Sequence, residues 1–319
     1  MGGLKSEVSI NCWLMKSAIN IAYLILAHNT PHHLGRLTKR LTAPHSKVFI
    51  HVDGKTPIDP YRRIAGSDIT WLRYRVPVYW GDFSQVDAVL MLIEEAFRSG
   101  YQFDKLVLLS GSDYPICSPE ESLKFFELNF DSEHMAAVRM PNEEYSKPIS
   151  RLNNYRHADS DPWYEKWRVE LLSRAGVRTK HRDYRAYLGP LVPYAGPLWW
   201  ALSKSACQHI LNFVASNTNI MEFYRHTYFP DESFFHTIIM NSKFGSELKG
   251  EITYADWSRG GANPATLSLQ DVERLVSLRW HGDVKEGDGQ GFLFARKFPD
   301  DSGQIVNAID RLVLATDSH

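Results

Sequence analysis

Cysteine, net charge and long apolar runs are all scarce in this chain, and each shortage removes a class of protein. Only Cys12, Cys117 and Cys207 occur, an odd and widely spaced set that offers neither a disulfide framework nor a zinc cluster and suits a reducing, cytoplasmic setting. Lys plus Arg number 36 against 37 Asp plus Glu, so the net charge of -1 gives no global reason to bind nucleic acid or an anionic membrane. Any anion site must be local. No apolar run approaches the roughly 20 residues that span a bilayer, and the first residues carry no cleavable signal pattern. Met1-Gly2-Gly3-Leu4-Lys5-Ser6 matches the short myristoylation pattern, and one acyl chain there would give only marginal, peripheral association with the inner face of a membrane.

Several chemistries are missing too. The phosphate loop GxxxxGK[ST], the dinucleotide fingerprint GxGxxG and the zinc motif HExxH do not occur where strands would need them, which sets aside NTP hydrolysis and NAD-linked redox. The 13 histidines, among them His32-His33, His51 and His236, show no metal-ligand spacing. Asp159-Ser160-Asp161 matches a metal-holding Asp-x-Asp, but the polar stretch before it carries no buried strand to present it. The expectation is no metal and no cofactor.

What is present is a core. The 319 residues are 44% hydrophobic and 13% aromatic, enough for a substantial folded domain. Residues 1–18 form an extension with no assigned role. From Ile19 short apolar runs alternate with amphipathic segments, which predicts an α/β fold with a central sheet covered by helices. Strands are expected at Ile21 to Ala27, Lys47 to Val52, Trp71 to Tyr79, Lys105 to Leu109, Gly196 to Ser203 and Glu251 to Asp256. Helices are expected from Pro31, from Ser84 as N-cap over Val86 to Phe97, from Pro119, and through Val214. Residues 19–319 read as one domain in two halves, 19–140 and 141–319. Residues 141 to 190 lack periodicity and read as a surface excursion, whose Tyr155, Trp163, Tyr164 and Trp167 suit sugar stacking or scattered core contacts.

The most informative stretch is Tyr228-Phe229-Pro230-Asp231-Glu232-Ser233-Phe234-Phe235-His236-Thr237. Proline ahead of two acids and an apolar run reads as a helix start, where the dipole favours ionised carboxylates while aromatic neighbours raise their pKa. A general base usable near neutral pH is one outcome of that balance; an ordinary acidic first turn is the other. Ser110, Ser112 and Asp113 follow a buried strand, the usual ligand position of open α/β sheets, although Gly, Ser, Asp and Pro also form turns for conformational reasons alone. Asp53, in His51-Val52-Asp53-Gly54, suits either a nucleoside contact or a turn cap. Arg259 with Gly260-Gly261, and Arg296-Lys297 between aromatics, offer cations for a diphosphate in place of a metal.

In order, Ala22-Tyr23-Leu24-Ile25-Leu26-Ala27-His28, His51-Val52-Asp53, Trp80-Gly81 with Ser84, Leu109 to Ile116, Gly196 to Ser203, Pro230 to Thr237 and Phe294-Ala295-Arg296-Lys297-Phe298 resemble the core-2/I-branching β-1,6-N-acetylglucosaminyltransferase family, which includes the peptide O-xylosyltransferases. The resemblance runs from about Ile21 to Phe298. It implies a GT-A-type, Rossmann-like nucleotide-sugar transferase fold and metal-free inversion at the anomeric carbon. It also implies Glu232 as base, Arg259 and Lys297 on the diphosphate, and Asp53 near uracil and ribose. Ala27, His28 and Arg296 stand with the UDP group, and Ser112, Asp113, Trp199 and Asp231 are candidates for the donor or acceptor sugar. The implied donor is a UDP-sugar, N-acetylglucosamine by breadth of the family or xylose by the sequence of the Glu232 segment. The acceptor would be a glycan or glycolipid. A non-catalytic carbohydrate- or nucleotide-binding module is the alternative of another class. The chain shows none of the signal anchor, stem or cysteine-rich pattern of animal members, so the expectation is a microbial-type, cytosolic protein.

Overall fold

Seven strands form the central sheet of the computed structural model, which describes residues 19–64, 66, 68–157, 164, 167, 171–172, 174, 181–261, 263–282 and 291–316. β1 (Ile21–Ala27), β2 (Ser46–Val52), β3 (Ile69–Trp71) and β4 (Lys105–Ser110) run parallel. β9 (Ala201–Ser203) lies antiparallel between β4 and β6 (Glu133–His134), and β10 (Leu248–Lys249) closes that edge, giving the order β10-β6-β9-β4-β1-β2-β3. A smaller sheet joins β11 (Thr253–Ala255), β12 (Phe294–Arg296) and β5 (Asp113–Pro115). β7 (Val138–Arg139) pairs with β8 (Tyr194–Ala195).

The continuous apolar runs of the parallel strands follow from burial on both faces. Side chains alternate, so Ile21, Tyr23 and Ile25 pack on one face with Leu34, Leu37 and Ile309, while Ala22 and Leu24 pack on the other with Val89, Ile210 and Phe235. Helices Pro31–Leu41 and Gly303–Thr316 thus cover one face. Helices Ser84–Arg98, Lys204–Ser216 and Phe234–Met240 cover the other. This is the mixed α/β architecture expected from the alternation. No helix of the described residues is long and apolar enough to cross a membrane.

Three local expectations are corrected. Only Ile69–Trp71 pairs as a strand; the chain from Leu72 to Tyr79 leaves the sheet and runs across the strand ends, where Asp53 Oδ1 accepts from the Val78 N–H. Ser84 is the first helical residue, not the cap, because its hydroxyl accepts from the Tyr79 N–H at 3.0 Å and fixes that crossing chain. Gly196 to Trp200 is not strand; pairing begins at Ala201. Residues 1–18 and the Asp159-Ser160-Asp161 motif, with Trp163, lie outside the described residues.

Candidate active site

The carboxyl ends of β1, β2 and β4 gather the first group of side chains. A Cβ on Gly111 would lie 3.2 Å from that of Ala27, and the Gly111 N–H donates to Leu26 O, so the loop after β4 lies against the end of β1. Ser112 reaches Thr30 at 3.5 Å between hydroxyls. Asp53, at the end of β2, accepts from the N–H groups of Lys55 and Val78 and pairs with the Lys55 ammonium at 3.4 Å. It therefore does cap a turn. Burial lowers the His28 pKa, Asp53 opposes the shift, and Lys297 and Lys55 add to it, so all three charged side chains lie within electrostatic reach of His28.

β12 brings the cations. The Arg296 guanidinium is buried, with Nε 3.3 Å from Asp113 Oδ1 and its central carbon over the Trp199 ring, 4.0 Å from the centroid. Burial pushes the Asp113 carboxyl up to about 6 against the pull of Arg296 and of the Ser110 N–H. Asp113 and Trp199, candidates for sugar contact, are thus placed behind and beside Arg296 as its supports. Lys297 follows, half-exposed, donating to Asn263 Oδ1 at 2.9 Å. Arg259 stands on the turn after β11, largely exposed and 3.6 Å from Asp271. Its loop returns to hydrogen-bond with the backbone leaving β12, through Ala265 and Leu267.

The carboxylate pair sits in a 3₁₀ turn, Pro230–Glu232, separate from the helix Phe234–Met240. The sequence reading of a helix start at Pro230 is corrected: Ser233 breaks away at φ -133°, so the dipole of the short helix does not set these carboxylates. Side chains do. Lys147 Nζ donates to Glu232 Oε2 at 2.6 Å and Arg151 Nη1 to the same oxygen at 2.5 Å. Burial raises the Glu232 carboxyl, but the two cations outweigh it and hold the group below the ordinary carboxylate range. Asp231 is the reverse. Among the described residues its buried Oδ1 has no hydrogen-bond partner, and burial together with the Glu232 charge pushes its carboxyl up to about 7. Lys147 and Arg151 were not legible in the sequence, since they precede Glu232 by 85 and 81 residues in a stretch without periodicity.

Two short bridges tie the groups into one site. Gly196 N–H donates to Glu232 O, and three residues on Trp199 stacks on Arg296, so at most about 11 Å of chain separates these contacts. Gly196 is required there, because a Cβ would lie 2.0 Å from Ala136 O. On the other side Lys55 lies 4.0 Å over the Tyr79 ring, and the adjacent Trp80 meets Phe229 edge-on at 4.9 Å. Gly81, at φ 66°, accepts from the Phe229 N–H, and a Cβ on it would stand only 3.0 Å from that ring. The Trp80-Gly81 motif is a socket for Phe229.

Histidines serve the framework. His33 bridges Ser302 and the Asp113 carbonyl, His51 accepts from the Val76 N–H, and His236 meets the Pro197 carbonyl. Burial first of all lowers all three to about 4. Tyr155, a candidate for sugar stacking, is stacked instead on His226 at 4.4 Å. Among the described residues no three His, Cys, Asp or Glu side chains converge as a metal site. A cavity of about 620 Å³ lined by Asp104, Glu133 and Lys204 opens at the opposite end of the sheet, away from these groups.

Residues 21–276 match the sequence profile described as Core-2/I-Branching enzyme. The chain belongs to that family. Its mixed sheet flanked by helices agrees with the GT-A-type fold the family resemblance implied. Among curated relatives of the family, xylosyltransferase 2 of Rattus norvegicus is 24% identical over 314 residues, covering 90% of this chain and 33% of that protein. Xylosyltransferase oxt of Drosophila melanogaster is 24% identical over 312 residues, covering 90% and 32%. The chain spans about a third of the length of the curated relatives it matches. A solved 4-diphosphocytidyl-2C-methyl-D-erythritol synthase from Anaerococcus prevotii aligns with 66% of this chain and 84% of its own at TM-score 0.32 and 11% identity, too loose a likeness to argue from.

Proposed function

We propose that this chain is an inverting, metal-independent glycosyltransferase that moves a sugar from a UDP-sugar to a hydroxyl of a glycan acceptor. One observation carries the reading: a half-buried carboxylate, Glu232, is bridged by short chain segments to a cationic group at the carboxyl ends of the sheet. Ligands of open α/β sheets bind at that end. Among the described residues both clamping cations sit on Oε2 of Glu232, which leaves Oε1 to accept the acceptor's proton. As the acceptor oxygen forms its bond to the anomeric carbon, the bond from that carbon to the diphosphate oxygen breaks. The proton passes to Glu232, and Lys297, Arg296 and Arg259 meet the charge that develops on UDP. A lectin-like module would need no base beside such cations.

N-acetylglucosamine is the donor sugar favoured by the breadth of the family. Xylose is the second reading, favoured by the relatives named xylosyltransferases. The test is thermal unfolding and UDP release with both UDP-sugars in EDTA, for the wild type and Glu232→Gln. The expected result is a stabilising shift in both proteins and a turnover lower in the variant by about 10²–10⁴-fold. Turnover within about threefold of wild type would remove Glu232 as the base. A strict Mn²⁺ requirement would instead promote Asp159 and Asp161, and no shift with any UDP-sugar would return the binding-module reading.

A further inference from the structure

Trp80 is 69% exposed, yet its position is fixed from both sides. Its ring meets Phe229 at 79°, and the following Gly81 carbonyl accepts from the Phe229 N–H. Arg151, one of the two cations on Glu232, lies 4.8 Å over the same Phe229 ring. Asp82 pairs with Arg156 at 2.7 Å, and Tyr79 is covered by Lys55. Tryptophan side chains are on average highly buried. Here backbone, ring and ion-pair contacts hold it uncovered at the boundary between the Glu232 carboxylate and the Asp53 and Lys55 group.

From this we infer that Trp80 is the stacking platform for a sugar ring of the acceptor, so that the acceptor is a carbohydrate chain laid across the indole with one hydroxyl at Glu232. The inference rests on the glycosyltransferase reading. Trp199, a sequence candidate for donor or acceptor sugar contact, has one face occupied by Arg296. An indole pairs a broad apolar face with the C–H surface of a pyranose, and the Lys147 and Arg151 donors nearby suit hydroxyl groups. A single aromatic rimmed by charged side chains suits a sugar better than an apolar peptide.

The experiment uses the full chain as wild type, Trp80→Ala and Trp80→Phe. Donors are UDP-xylose and UDP-N-acetylglucosamine, acceptors are chitotetraose, cellotetraose and xylotetraose, and UDP release is the readout. Trp80→Ala should raise the acceptor KM on the order of tenfold, and Trp80→Phe should recover most of it, with UDP affinity unchanged in both. An acceptor KM within about twofold of wild type in Trp80→Ala, or a parallel loss of UDP affinity, overturns the inference. A wild type that binds UDP but gains no turnover from any tetrasaccharide overturns it as well. If the wild type binds no UDP, the glycosyltransferase reading fails separately. Trp80 is then decided by fluorescence alone: saturable quenching by a tetrasaccharide in wild type and not in Trp80→Phe supports the platform, and equal or absent quenching refutes it.

Discussion

Replacing Asp231 by Asn tests the electrostatics of the carboxylate turn more directly than any change in rate. Asp231 is 9% exposed, its Oδ1 has no hydrogen-bond partner among the described residues, and its carboxyl rises from an ordinary 3.8 to about 7. Burial is the main cause and the Glu232 charge the second. A group whose pKa is raised on folding contributes stability that is fully present below its unfolded pKa and is lost as pH rises through its folded pKa. At 1.36 kcal/mol per unit, the interval between 3.8 and about 7 corresponds to about 4 kcal/mol at pH 8 and to almost nothing near pH 4. Asparagine has nearly the same shape and cannot ionise. Urea unfolding of both proteins at pH 4.5, 6 and 8 should therefore show the variant gaining on the wild type as pH rises, by as much as a few kcal/mol at pH 8. A stability difference that does not vary with pH, or a variant that is weaker at pH 8, would refute the account of Asp231 as an unpaired buried acid. Activity separates a second question: a stabilised variant that has lost transfer would show that this acid, costly to bury, is kept for the reaction.

Lys297→Ala should weaken UDP binding by about 10–100-fold, the worth of one charge-assisted contact, while the melting temperature of the unliganded protein holds; calorimetric titration with unchanged affinity would take Lys297 out of the site. Gly81→Ala forces an L-residue to φ 66° with its methyl 3.0 Å from the Phe229 ring, so it should cost about 1–2 kcal/mol in denaturation and reduce transfer further by displacing Phe229. An unperturbed melting temperature would show that the socket is not tight.

How much of this was legible depended on the distance over which each feature is encoded. β1, β2 and β4 were read nearly to the residue, because a strand buried on both faces leaves a continuous apolar run with polar ends. The helix at Pro119 carries its own start signal, a reciprocal cap between Ser118 and Glu121. The run from Trp71 to Tyr79 misled, since its alternation serves a chain crossing the strand ends, where Val78 and Tyr79 face Asp53 and Lys55. β9 begins five residues later than expected because Gly196 and Pro197 are committed to the Glu232 and His236 contacts. The site was half legible. Glu232, Lys297, Arg296, Asp53 and His28 were nominated, but the work of Asp113 and Trp199 in seating Arg296 was not, and nothing local marked Lys147 or Arg151.

The α/β class, the strands of the parallel core, the absence of standard phosphate and dinucleotide motifs, and the residues of the carboxylate and cation segments all stand in the linear order of residues. They are written in periodicity, caps and short motifs, which act over a few positions. Which charges meet is settled by folding. The packed chain puts two cations on Glu232 and buries Asp231 Oδ1 without a hydrogen-bond partner among the described residues, so that neighbouring carboxylates of one turn are shifted in opposite directions. It also turns Trp199 inward onto Arg296 and leaves Trp80 outward. Such pairings join segments many tens of residues apart, and their energies depend on burial and distance, neither of which a linear sequence contains.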